Sequence, residues 1–361
     1  MQSIAIMKTM VAYELIKPKK LQRGDYVAAV SLSWGGPATF PHRYQSGVRQ
    51  LEATFGLEVV AMPHTCKDAQ FLKQHPEARA ADLMQAFADE RIAAIFSTIG
   101  GDDSIRILPY LDLDVIRENP KVFMGYSDTT ITHMAMMQAG VASFYGPSIM
   151  AGFAENLGMF SYTIDAIERT LFQSGKVGDI RENKQGWTNE LLDWGNSKNQ
   201  GIKRTLYPPM ERIFLQGKGI HSGRLLGGCL EVLDWMRGAT SWPPQSAWKG
   251  AILFIETSEE APTPTRVKRI LRSFAAAGVL QELSGLLVGR PGGDIKPSSF
   301  GAYDQAILEV VRGELGLEEL PIVSRMDFGH TDPMGVLPIG VNAVIDCSMR
   351  SIRISENAVT D

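Results

Sequence analysis

Four apolar runs punctuate the first third of the chain: DYVAAVSLS (25–33), LEVVAMP (57–63), IAAIFSTIG (92–100) and VFMG (122–125). Each is followed by helical periodicity, near 43–55, 77–90, 103–108 with 112–118, and onward from Thr129. Strands separated by helices of this length cannot close as hairpins. The chain must cross over between them, which builds βαβ units around a parallel sheet. In such a sheet, ligands gather beyond the carboxyl ends of the strands. Trp34, the Gly100–Gly101 pair and Ser127 all fall at those ends.

The pattern changes from about 171 to 215, a polar stretch rich in Gly, Asn and Lys that carries Trp187 and Trp194. It reads as a long connecting loop, and connections of that length are usually functional or mobile. A second unit starts near 216 with GIHSGRLLGGCLEVLDWMRG. It continues through the strand AILFI (251–255), a basic helix over 265–278, the strand LSGLLVGR, a helix around 301–315 and a closing strand pair, NAVIDCS and RSIRIS. The expected organisation is an amino-terminal domain over 15–170, a connector over 171–215 and a carboxy-terminal domain over 216–361. A length of 361 residues suits two domains.

A net charge of −4 leaves no basic surface for a phosphate backbone, so no nucleic-acid partner is expected. Cys66, Cys229 and Cys347 form no C-x-x-C pair and read as reduced thiols, implying neither a disulfide framework nor a zinc site. The amino-terminal MQSIAIMKTM is too weak for a signal peptide. No apolar run approaches the ~18 residues that would span a bilayer. A cytoplasmic protein without membrane contact, metal or cofactor is the expectation.

The sequence GYSDTT places Ser127 where a buried strand turns straight into a helix. Ser and Asp are the commonest helix caps, and Ser127 taken alone is more often a cap than a nucleophile. The two roles are compatible, because free N–H groups at a helix start also favour an oxyanion. The stretch is not the G-x-S-x-G elbow, since residue 129 is Thr. A serine nucleophile needs a base and an orienting group. Of six histidines, His133 lies two turns past Ser127 and is expected to point away, whereas His330 lies in the turn-rich DFGHTDP. Glu256 ends the apolar run AILFIE, either as a charge marking the strand end or as the acid that holds an imidazole. The corner STIGGDDS can aim backbone N–H groups at an anion. It also resembles the Gly-Gly-Asp corner of lipid, sugar and dinucleotide kinases, which keeps a nucleotide binder or kinase open.

The blocks LQRGDYVAAVSLS, STIGGDDS, VFMGYSDTT, LFIETSEE and DFGHTDPMGVLPIG, in this order, resemble the LD-carboxypeptidase family of metal-free serine peptidases. The similarity covers nearly all of the chain beyond residue 15. It implies a flavodoxin-like amino-terminal domain, a swivelling β/β/α carboxy-terminal domain and a homodimer. It further implies Ser127 as nucleophile, Glu256 as orienting acid and His330 as base. The oxyanion donors it implies are the N–H groups of Asp128 and of Gly101 or its neighbour Asp102. The GGDDS corner and GWTNELLDW are closest to the microcin C self-immunity branch, whose substrate is a peptidyl-adenylate. In that reading Trp187, and second Trp194, stack on the base, with Asp102 a further substrate contact. The alternative within the family is a muramoyl-tetrapeptide carboxypeptidase, and for the tryptophans it is simply anchoring the loop.

Overall fold

The computed structural model describes residues 15–361. The amino-terminal stretch considered above as a signal lies outside the described residues. The first sheet takes β1 (Tyr26–Val30), β2 (Glu58–Ala61), β3 (Ile92–Ser97), β4 (Val122–Gly125) and β5 (Ser143–Tyr145), paired in parallel in the order β2-β1-β3-β4-β5. This is the flavodoxin-like strand order. Its central strands are apolar on both faces because helices cover both. Among them, Pro41–Phe55 opens on proline and closes on Gly56 at φ 66°, while Pro76–Ala88 and Thr130–Ala139 lie further along the chain.

The second sheet contains β6 (Gly178–Asp179), β7 (Ile213–Gln216), β8 (Ile220–Cys229), β9 (Ile252–Glu256), β10 (Gly285–Gly289) and β11 (Ile322–Met326). After β12 (Leu337–Ile339), the pair β13 (Asn342–Asp346) and β14 (Ser351–Ile354) completes it in the order β6-β14-β13-β8-β9-β10-β11-β7. The run β8-β9-β10-β11 is parallel, and β8 serves two partners in turn. Residues 220–224 pair antiparallel with β13, and residues 225–229 pair parallel with β9. Helices Pro264–Ala276 and Phe300–Leu308 follow β9 and β10.

Two findings refine the sequence reading. The connector is not a bare loop, since β6 pairs with β14 and β7 pairs antiparallel with β11. Conversely, β12 leaves the carboxy-terminal half and joins the first sheet, pairing antiparallel with β5 in the register Leu337 to Tyr145. A cut at 216 therefore divides the sequence more cleanly than the sheets. Among the described residues, no helix is long and apolar enough to cross a membrane.

Candidate active site

The carboxyl ends of the two sheets face each other. Ser127 stands just past β4, in the turn Ser127–Thr129 that leads into Thr130–Ala139. Its φ of 62° is left-handed, a conformation that costs a non-glycine residue about 1–3 kcal/mol and persists only where the surroundings hold it. No side-chain cap bond is made at this helix start, so the hydroxyl is not spent as a cap. Instead Ser127 Oγ lies 3.0 Å from His330 Nε2. The Thr130 hydroxyl donates to the Ser127 carbonyl (2.7 Å) and accepts from the Cys229 N–H at the end of β8 (3.1 Å), tying the corner to the second sheet.

Glu256 ends β9 almost wholly buried, and each of its oxygens has a donor. His330 donates Nδ1–H to Oε2 (2.6 Å) and its backbone N–H to the same oxygen (3.3 Å). Tyr145, the last residue of β5, donates its hydroxyl proton to Oε1 (2.5 Å). That hydroxyl oxygen accepts the backbone N–H of Ser127 (3.1 Å). Tyr145 therefore bridges the serine corner of one sheet and the carboxylate of the other. Burial holds its phenol well above the usual range, keeping it a donor. Sequence reading missed it, because a tyrosine ending a three-residue buried strand looks like core.

The electrostatics at His330 are lopsided. Burial disfavours the imidazolium, but Glu256, and then Glu259 at 3.0 Å from Nε2, outweigh it and raise the ring to about 10. Glu259 is the second residue missed, standing three positions past Glu256 in LFIETSEE. His133 is the opposite case. It is fully buried against the Ser143 hydroxyl and the Gly125 carbonyl, burial lowers it to about 4, and it takes no part in the site.

The Gly-Gly corner approaches Ser127 closely enough that a Cβ on Gly100 would stand 3.0 Å from Oγ. Gly101, at φ 147°, has the Ser33 side chain where its own would go, so only glycine fits. The corner is lashed down by Arg79, fully buried, which donates to Asp103 (2.6 Å) and to the Leu32 carbonyl (2.8 Å). Asp128 accepts the Ser104 N–H on its side chain (2.8 Å), and burial raises its carboxyl above the ordinary range. That guanidinium is committed to the loop, so the kinase reading finds no free phosphate-binding cation in it. Asp102, expected as a substrate contact, is exposed and stands outside the cavity wall.

Over Ser127 opens a cavity of about 440 Å³ walled by Trp34, Phe40, Arg43, Tyr126, Trp194 and Glu259, among others. The connector supplies Asn189 to Leu192, Trp194 and Arg204. Trp194 is half-buried, with its edge to Phe40 at 6.1 Å and the Arg43 guanidinium over its face at 4.7 Å. Burial lowers Arg43 to about 10. Of the two readings for Trp187, base stacking or anchoring the loop, its surroundings favour the second. It is fully buried outside the cavity, stacked on Tyr207 at 4.6 Å with the Arg290 guanidinium over its ring at 5.2 Å. It anchors the connector, and the next residue, Thr188, pairs both backbone groups with Asp332 (2.7 and 2.9 Å). Arg204 bonds Glu155 and Asp332, closing the wall beside His330. Among the described residues, no cluster of three or more His, Cys, Asp or Glu is arranged to hold a metal.

A model of the LD-carboxypeptidase N-terminal domain matches residues 27–146, and one of the C-terminal domain matches 222–345. The chain is 30% identical over 337 residues to the microcin C7 self-immunity protein MccF of Escherichia coli, covering 92% of this chain and 94% of that one. It is 26% identical over 348 residues to the "Probable murein peptide carboxypeptidase" of Bacillus subtilis, covering 93% of each. An MccF-like protein from Streptococcus pneumoniae, crystallised with AMP, superposes with a TM-score of 0.83 at 33% identity, over 92% of this chain and 99% of that one. MccF in complex with aspartyl sulfamoyl adenosine superposes with a TM-score of 0.82 at 28% identity, over 96% and 100%.

Proposed function

The chain belongs to the LD-carboxypeptidase family of serine-type amide hydrolases, and from that premise we propose that it cleaves the amide linking a peptidyl or aminoacyl group to a nucleotide. Ser127 is the nucleophile, His330 the general base and Glu256 the acid that orients the imidazole. Neutral His330 takes the hydroxyl proton as Ser127 Oγ attacks the carbonyl carbon. The N–H groups of Asp128 and Gly101 receive the oxyanion, and loss of one such donor costs about 2.7–4 kcal/mol of barrier. His330 then gives its proton to the leaving nitrogen. Water, activated by the same imidazole, releases the acyl group from Ser127.

The observation that carries the nucleotide part is the cavity wall. Trp194, Phe40 and Trp34 offer aromatic faces and edges for a base, and the Arg43 guanidinium offers charge for a phosphate or its sulfamoyl substitute. Relatives crystallised with AMP and with aspartyl sulfamoyl adenosine support the same chemistry. The test is product mass after incubation with an aminoacyl sulfamoyl adenosine and with a murein tetrapeptide. Release of sulfamoyl adenosine is expected. Release of terminal D-alanine alone would replace this reading with the cell-wall one. Ser127→Ala should fold normally and lose activity by a factor on the order of 10⁶. Retained turnover in that variant would remove the nucleophile assignment.

A further inference from the structure

His330 Nε2 faces two acceptors at the same distance: Ser127 Oγ at 3.0 Å and Glu259 Oε2 at 3.0 Å. The hydrogen bond of Nε2 is to Ser127 Oγ, and Glu259 Oε2 stands beside it as an ion-pair partner. Protonated between Glu256 and Glu259, the ring has no lone pair with which to accept the serine proton. The arrangement is a resting one.

The two carboxylates are mounted differently. The Glu256 side chain is fully buried, whereas that of Glu259 is 59% exposed on the cavity wall. Its backbone is held by the preceding residue, because Ser258 donates both its N–H (2.9 Å) and its hydroxyl (2.6 Å) to the buried Glu231. A fixed turn thus carries a side chain that is free to swing. The other cavity carboxylates are engaged: Asp332 by Arg204, and Glu190 by the Thr205 N–H. Of the cations, Arg204 is committed to Glu155 and Asp332, and Arg43 lies over Trp194. Tyr126 presents its ring edge to His330. Among the described residues, the ion-pair partner of Glu259 is His330 alone.

We propose that Glu259 is a specificity-determining gate that an ammonium group on the substrate draws off His330, so that the enzyme favours amides whose acyl residue carries a positive charge. The inference rests on the nucleotide-linked reading of the site and names the acyl side of that substrate. An ammonium entering the cavity replaces the imidazolium as the partner of Glu259. His330 then loses one of the two carboxylates that hold its proton, releases the Nε2 proton to water, and presents the freed lone pair to the Ser127 hydroxyl 3.0 Å away. The charge could sit on the α-nitrogen or at the end of a side chain, and the probes separate these.

Three compounds suffice: norleucyl, Nα-acetyl-lysyl and Nα-acetyl-norleucyl sulfamoyl adenosine, carrying an α-ammonium, a side-chain ammonium and no cation. The wild-type enzyme should turn over at least one charged probe with kcat/KM tenfold or more above the uncharged one, and whichever probe gains identifies the position. In Glu259→Gln the preference should collapse towards one. With the uncharged probe, the rising limb of kcat/KM against pH should move at least one unit lower, because that limb reports the free enzyme's base. Equal turnover of all three by wild type, a preference surviving in Glu259→Gln, or an unmoved limb would each overturn the gate. If wild type releases nucleoside from none of the probes, the nucleotide reading itself fails. The gate is then judged without substrate by NMR titration of the His330 ring, whose midpoint must fall in Glu259→Gln, and an unchanged midpoint rejects it.

Discussion

Tyr145 uses one hydroxyl for two tasks, donating to Glu256 and accepting from the strained Ser127. Removing it leaves a buried carboxylate oxygen without its donor and a left-handed backbone without its tether. Tyr145→Phe is therefore expected to lower unfolding stability by about 1–3 kcal/mol in a urea titration. Misplacement of the reacting groups should lower kcat by up to ~10²-fold, with a smaller change in KM. An unaltered kcat would show that the bridge is only structural. Ser127, Glu256 and His330 were legible because each ends or follows an apolar run with an unusual polar residue. Tyr145 and Glu259 were not, since their importance lies in which atoms of a distant segment they meet. Asp102 shows the converse: it stands beside Gly101 in sequence, but the corner turns it to solvent.

The connector shows how one element combines anchoring and contact. Trp187 and Trp194 lie seven positions apart, and both were candidates for stacking on a base. Their burial separates them. Trp187→Ala should open a cavity in packed interior and cost about 3–5 kcal/mol of stability. Trp194→Ala removes an aromatic wall, and it should weaken binding of a nucleotide-bearing substrate by about 1–3 kcal/mol, read as a raised KM. The same variant should leave KM for a murein tetrapeptide nearly unchanged. A rise for both substrates would mean that Trp194 shapes the cavity as a whole. The loop composition was plain from its Gly, Asn and Lys content, but its two short strands were not. They are edge additions whose pairing partners, β11 and β14, lie far away in sequence.

Across the whole molecule, the site depends on a chain that crosses between sheets. His330 follows β11 of the second sheet, and β12 then returns to pair with β5 of the first, opposite Tyr145. This return holds the imidazole over the serine corner and couples folding to protonation. The ring's value rises from an ordinary 6.5 to about 10 on folding. The stability this supplies is complete below the ordinary value and is lost as pH rises through 10. Thermal unfolding should thus show a falling Tm between pH 6.5 and 10, with a shallower fall in His330→Gln. Equal slopes in the two proteins would mean that the carboxylates do not hold the proton. The alternation of apolar runs and helices pointed to the parallel sheet, since crossovers of that length suit parallel neighbours, and the short motifs marked three side chains that meet beneath the cavity. Only the tertiary structure decided which tryptophan faces the cavity, that a tyrosine joins the two halves and that a second glutamate reaches His330. Those facts follow from contacts between segments distant in sequence, which local periodicity does not encode.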